Sequence, residues 1–312
     1  MTLNTLWDLW QAEGYDAVCA APLTDPLDHF YRALLAFGTD DFAQAAADAR
    51  AAAALNPDSL VYAHATTYLE RVLAQGKTNV YVDGTAFAAF IRGGGNVGLY
   101  TSTSAALRSV YERHSALHLL DIGVGDGMAL LPALTGSVRQ VDLVEPSEAM
   151  LAHTTQALAE QGIAHQAANQ TVQAFMEQEQ GRWDVIQATY SLQSVPPTER
   201  GAVFEWLRVH GDQVLIAEFD VPAFTGTFAP DHVQYVVARF ERGLGEYEGD
   251  LVAQGFLMPV MFGYFDQSAA RTNWEEPIQN WCTALRAAGF EQVQTTRLFE
   301  YFWADAYLIN AR

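Results

Sequence analysis

From residue 117 onward the sequence alternates short apolar runs with amphipathic stretches, and this limits the possible folds more than any other feature. LHLLDI, VRQVDLVEP, AHQAANQ, WDVIQATYS and DQVLIAEFD read as strands; GMALLPALTG, SEAMLAHTTQALAEQG, TVQAFMEQEQ and TERGAVFEWLRVH between them read as helices. Such alternation predicts an α/β fold built on a mainly parallel sheet. The helical pattern resumes in EEPIQNWCTALRAAGF, and the chain closes on EQVQTTRLF and FWADAYLINAR, with a very short turn around Glu300–Tyr301. Two strands with no room for a helix between them must be antiparallel neighbours.

The rest of the chain has a different texture. Residues 1–75 read as helices, and DHFYRALLAFGTDDFAQAAADARAAAALNPDS (28–59) has the look of one tetratricopeptide-type helical pair closed by Asn-Pro. One such unit does not make an array, because stacking needs several repeats to bury a continuous face. We therefore expect a helical N-terminal cap over 1–80 and the α/β domain over 81–312, interrupted by an aromatic- and glycine-rich insertion at 222–274. The triple glycine at 93–95 breaks the pattern before the sheet, and Thr101 to Ser104 are placed to cap a helix running to about Arg113.

Composition removes several classes of function. Of 312 residues, 50% are hydrophobic and 17% charged, which suits a filled core rather than a disordered chain. No uninterrupted apolar run is long enough for a membrane span, and the start MTLNTLWDLW lacks the basic and apolar segments of a secretory signal, so a cytoplasmic protein is expected. Cys19 and Cys282 lie far apart and the eight histidines form no HExxH pattern, so no metal site is expected. Seventeen basic against 37 acidic side chains give a net charge of −20, the opposite of what a nucleic-acid substrate would require.

The chemistry-bearing stretch is DIGVGDG. Gly123, Gly125 and Gly127 let the backbone turn sharply and approach a ligand closely, and a helix beginning after them would aim free N–H groups at the same spot. The spacing G-x-G-x-G differs from the G-x-G-x-x-G of pyrophosphate loops, and Asp121 at the strand end would repel a diphosphate while attracting an ammonium. A plain glycine-rich turn reads the same way. Glu145, at the end of the next strand and 24 residues after Asp121, is placed to accept from both hydroxyls of a ribose; as an alternative it is a surface acid beside a helix capped at Ser147.

DIGVGDG resembles motif I of the class I S-adenosylmethionine-dependent methyltransferases, and V-E-P-S-x-x-M-L resembles their motif II. The resemblance covers about 81–221 and 275–312. It implies a Rossmann-like seven-stranded, mostly parallel sheet with an antiparallel last strand, and S-adenosylmethionine as cofactor. Asp121 and the loop would hold its amino-acid end, Glu145 its ribose, and Pro146, Ser147 and Met150 would flank the adenosine. Where many relatives carry an Asp near the adenine amine, this sequence has Asn169 and Gln170, whose amide oxygens could serve, or which could simply cap the next helix. Thr189 to Gln193 would reach the site from the fourth strand, with Gln193 standing where relatives often have His. LYTSTSAALRSVYERHSALHLLDIGVGDGMALLPALTG also resembles the corresponding segment of the GRAS family, whose members include regulators on a methyltransferase-like fold.

Methyl transfer from a sulfonium needs alignment of the acceptor, exclusion of water and, for oxygen acceptors, removal of a proton. Catalytic candidates are Tyr190, Gln193, His232 and Tyr264, with Glu218, Asp220, Tyr235 and Phe265 also placed near strand ends or in the insertion; Tyr100 is expected to close over the cofactor. Packing or solvent exposure is the competing reading of each. The aromatics of 222–274, with the N-terminal helices, are expected to roof a largely apolar pocket for a small organic acceptor, or else to form a homodimer interface. The expected activity is S-adenosylmethionine-dependent methylation of a small metabolite at oxygen or nitrogen. The alternative is a non-catalytic GRAS-like sensor or scaffold.

Overall fold

A computed structural model describes residues 2–77 and 84–312. The boundary expected at 80/81 falls outside the described residues. The chain divides into two compact units, one comprising residues up to Val97 together with Phe224–Ala270, the other Gly98–Ala223 with Arg271–Arg312.

The second unit holds the sheet. Its strands are β1 (Leu117–Ile122), β2 (Val138–Val144), β3 (Ala164–Ala168), β4 (Trp183–Thr189), β5 (Gly211–Phe219), β6 (Val293–Glu300) and β7 (Asp305–Ala311), in the order β3-β2-β1-β4-β5-β7-β6. The first five are parallel, and β7 inserts antiparallel between β5 and β6, as the short closing turn requires. Strands β1, β4 and β5 are buried at nearly every position because both faces are covered. Leu120, Ile122, Ile186, Val214 and Ile216 pack on one side with Phe204 and Trp281. Leu119, Val141, Val185 and Leu215 pack on the other with Leu107 and Tyr111. The edge strands β3 and β6 are largely exposed.

Three local expectations change. GMALLPALTG forms only one helical turn, Leu130–Ala133, because the left-handed Gly127 (φ 80°) delays its start and Pro132 cannot donate to continue it. Thr101–Ser104 do not cap a helix. The helix runs from Gly94 to Tyr111, so these residues and Tyr100 sit within it, and the Thr103 hydroxyl donates back to the Leu99 carbonyl at 2.8 Å. Asn169 and Gln170 do not cap the helix Val172–Gln178 either, since Thr171 does so by accepting from the Ala174 N–H.

The first unit is helical. Pro26–Gly38 and Phe42–Leu55 form the expected pair, followed by Leu60–Gln75. The insertion contributes Pro230–Leu244 and, after a π-turn at Ala253–Leu257, Met258–Gly263. The insertion is built into this unit's core: the Phe262 ring lies 4.9 Å from that of Phe37 and 5.0 Å from that of Tyr68. The Glu241 carboxylate caps Leu60–Gln75, accepting from the Ser59 hydroxyl at 2.7 Å and from the Leu60 and Val61 N–H groups at 2.7 and 3.0 Å. Phe228, Phe240, Phe256, Phe262 and Phe265 are all buried. These five rings are consumed by packing inside the unit. Among the described residues no helix is long and apolar enough to cross a membrane.

Candidate active site

The strand order reverses between β1 and β4, and in open α/β sheets such a switch point leaves a crevice beyond the strand C-termini. Asp121, Gly123, Gly125, Gly127, Glu145 and Thr189–Gln193 come together there. Register explains it: Asp121 pairs with Leu143 on β2 and with Gln187 on β4, so β1, β2 and β4 end level with one another.

The loop is shaped by all three glycines, which have left-handed φ of 69°, 58° and 80°. Their surroundings differ. A Cβ on Gly123 would stand 2.4 Å from the Ser191 Cβ, so this residue is a packing necessity. A Cβ on Gly125 would meet nothing nearer than the Met150 sulfur at 4.0 Å. Gly125 therefore faces open space, and its bareness serves something that approaches the backbone from there. It is also clamped: its N–H donates to Glu145 Oε2 at 3.0 Å, and its carbonyl accepts from the Thr154 hydroxyl at 2.9 Å.

Glu145 is buried and joins loop to strand end, its second oxygen accepting from the Ser147 N–H at 2.8 Å. Each carboxylate oxygen keeps a lone-pair direction for a further donor. Ser147 caps the helix Glu148–Glu160, and Met150 on its first turn is exposed. The Asn169 amide nitrogen donates to the Glu145 and Pro146 carbonyls at 2.9 and 3.0 Å, bracing the turn and leaving the amide oxygen to accept. Gln170 lines a cavity of about 160 Å³ with Ala168, Asp142, Phe175 and Trp183.

Asp121 is buried, with Oδ2 accepting from Gln187 Nε2 at 2.6 Å and Oδ1 meeting no partner. Burial pushes its pKa up to about 7; the Gln187 hydrogen bond works against the rise and the nearby Glu145 charge adds to it. At the end of β5, Glu218 is likewise buried and pushed up to about 8 by desolvation, opposed first by the N–H of Gln193 at 3.1 Å.

Tyr190 stands at a left-handed φ of 54°, unusual for a non-glycine residue. Its hydroxyl bonds with that of Thr103 at 2.8 Å, its ring stacks on Phe219 at 4.8 Å and meets Tyr100 edge-on at 6.0 Å, and burial raises its pKa far above neutrality. The phenol is thus no base at neutral pH. Tyr100 is pushed up to about 12 by burial and then by the Asp126 charge. The Gln193 amide donates to the Tyr190 carbonyl at 3.2 Å and keeps a buried oxygen without a partner. His232 and Tyr264 belong to the first unit, their ring centroids 6.5 Å apart, with His232 Nδ1 bonded to the Thr227 carbonyl at 2.6 Å.

Sequence reading missed Tyr111, Thr154, Gln187 and Ser191. Gln187 carried a usable signal, a polar residue amid the apolar run WDVIQAT; Thr154 looked like any helix residue.

The cradle fits the amino-acid and ribose ends of S-adenosylmethionine on two observations: the unpartnered buried oxygen of Asp121 and the open approach to Gly125. Residues 119–210 match the model of a family described as a methyltransferase domain. No curated protein matches the sequence. Among solved structures, the chain is similar to the magnesium protoporphyrin IX methyltransferase of Synechocystis PCC 6803 with bound SAH, at 17% identity over 74% of this chain and 95% of that one, TM-score 0.48. It is also similar to the mitomycin 7-O-methyltransferase, at 14% identity over 95% and 75% of the two chains, TM-score 0.46. For the cyclopropane synthase of Mycobacterium tuberculosis the values are 12%, 67% and 83%, with TM-score 0.45. The glycine loop, Glu145 and the fourth-strand residues all lie inside the segment that matches the methyltransferase-domain model.

Proposed function

We propose that the protein methylates a small organic acceptor at oxygen or nitrogen. The observation that carries this reading is the clamp on Gly125, a backbone held from both sides yet bare toward open space, beside two buried carboxylates. In the proposed site Asp121 and the glycine loop receive the amino-acid end of the cofactor and Glu145 the ribose. Pro146, Ser147 and Met150 flank the adenosine, Asn169 and Gln170 its amine, and Thr189 and Tyr100 complete the wall. When bound, the cofactor supplies an electrophilic methyl group. The protein's part is to align the acceptor, keep out water and, for an oxygen acceptor, take its proton. Glu218 suits the last task, with a carboxyl poised close to neutrality at the end of β5. Gln193, with its unpaired oxygen, suits orientation of a donor on the acceptor. The strongly acidic composition favours a small molecule over nucleic acid.

Titration calorimetry with S-adenosylmethionine and S-adenosylhomocysteine tests the site. Gly125→Arg should abolish binding by filling the open approach. Glu145→Ala should weaken it ~tenfold or more, by removing the ribose acceptor and unclamping Gly125. Unchanged affinity in both variants would refute the site. Binding without methyl transfer to any member of a broad panel of phenols, acids and amines would favour the sensor reading.

A further inference from the structure

We propose that Tyr111 and Gln187 are positioning residues that hold Asp121 with Oδ1 as its one unpaired acceptor for the cofactor's ammonium group, and that loading the site expels the proton of the Asp121 carboxyl. This rests on the cofactor-binding reading above and adds to it a regulation by pH.

The three side chains form a line through the buried face of the sheet. Parallel register sets Gln187 of β4 directly beside Asp121 of β1. The Tyr111 hydroxyl, at the end of the helix Gly94–Tyr111, donates to Gln187 Oε1, and Gln187 Nε2 donates to Asp121 Oδ2 at 2.6 Å. All three residues are at most 1% exposed. Because a phenol with a pKa raised far above neutrality stays protonated, Tyr111 fixes which way the amide points, and so which Asp121 oxygen is occupied. The other oxygen, Oδ1, is left buried with no partner, an arrangement that costs free energy unless the carboxyl is neutral or a cation arrives.

The groups facing Asp121 act in the same direction. Helix Gly94–Tyr111 presents only the neutral Tyr111, β4 only the neutral Gln187, and the end of β2 presents Glu145, whose charge disfavours ionisation; Asp126 in the loop bears on Tyr100. In the empty site the proton resides on Oδ1, since Oδ2 is taken. On loading, the Oδ1–H bond breaks, the proton passes to solvent, and Oδ1 accepts from an ammonium N–H that keeps its own protons. The added positive charge compensates both carboxylates at once.

Calorimetry of the full chain with S-adenosylmethionine, in buffers of differing ionisation enthalpy between pH 5.5 and 7.5, reads this directly. The expected result is release of close to one proton at the acid end and an affinity rising ~tenfold per pH unit until the carboxyl ionises unaided. Asp121→Asn should bind with a flat profile. Gln187→Met and Tyr111→Phe should move the rise to higher pH, whereas a merely structural loss would lower affinity equally at every pH. Carboxyl titration of the unliganded wild type by carbon NMR needs no variant and should place Asp121 near neutrality. Binding without proton release, or a wild-type Asp121 that titrates like an exposed carboxylate, would overturn the proposal while leaving cofactor binding intact. Absence of cofactor binding would overturn both.

Discussion

Each glycine of the loop has its own reason to be glycine, and the reasons predict different phenotypes. Gly123→Ala puts a Cβ against Ser191 and adds left-handed strain, so it should lower unfolding stability by ~2 kcal/mol or more. Gly125→Ala has only the strain to bear, ~1 kcal/mol, and its larger effect should be on cofactor affinity. Urea unfolding of the two variants checks the order; equal losses would mean that the open approach at Gly125 is not what distinguishes it. Which residues mattered at this scale was only partly readable from the chain. Asp121, the glycines and Glu145 stand in local patterns that marked them as candidates, and the structure brings them together at the ends of β1 and β2. Thr154 reaches the loop from the helix after β2, and Tyr111 reaches Asp121 only through Gln187 of β4, and no local pattern encodes those meetings.

Elements followed the sequence where burial is two-sided or turns are short. β1, β4 and β5 are buried along most of their length because each is covered on both faces, and β6–β7 had to pair antiparallel. The readings that changed involve helix ends. Pro132 and a left-handed Gly127 reduced ten expected helical residues to one turn. The insertion's aromatic content does not by itself say which core it fills. Its binding to the N-terminal helices is anchored by Glu241, which satisfies three donors at the start of Leu60–Gln75. Glu241→Ala should cost ~2 kcal/mol of stability, while Glu241→Gln, which keeps one acceptor oxygen, should cost less. Thermal unfolding monitored by circular dichroism would show the difference; equal loss would remove the cap from the account.

For the molecule as a whole, the buried acids set the response to pH. Asp121 and Glu218 have folded values of about 7 and about 8, above those of an unfolded chain. Their contribution is fully present below the unfolded carboxyl values and is lost as pH rises through 7 and 8, because ionising them in place is unfavourable. Asp48 and Asp266 in the first unit oppose this: burial would raise them, but hydrogen bonds, chiefly from Arg32 to Asp48 and from Lys77 to Asp266, hold both below the usual range, so their contribution is lost toward low pH. The unliganded protein should therefore lose stability as pH rises from about 4, where the unfolded carboxyls ionise, to about 8, and saturating cofactor should flatten that fall by compensating Asp121. Equilibrium unfolding at several pH values, with and without S-adenosylmethionine, would reveal it; a flat unliganded profile would contradict the assignment of neutral buried acids.

The central claim is that the cradle formed by Asp121, the clamped Gly125 and Glu145 holds S-adenosylmethionine. The most direct test is calorimetric titration of the folded wild-type chain beside Gly125→Arg. The account predicts saturable one-site binding to wild type and none to the variant. No binding to folded wild type, or equal binding to both, would contradict it.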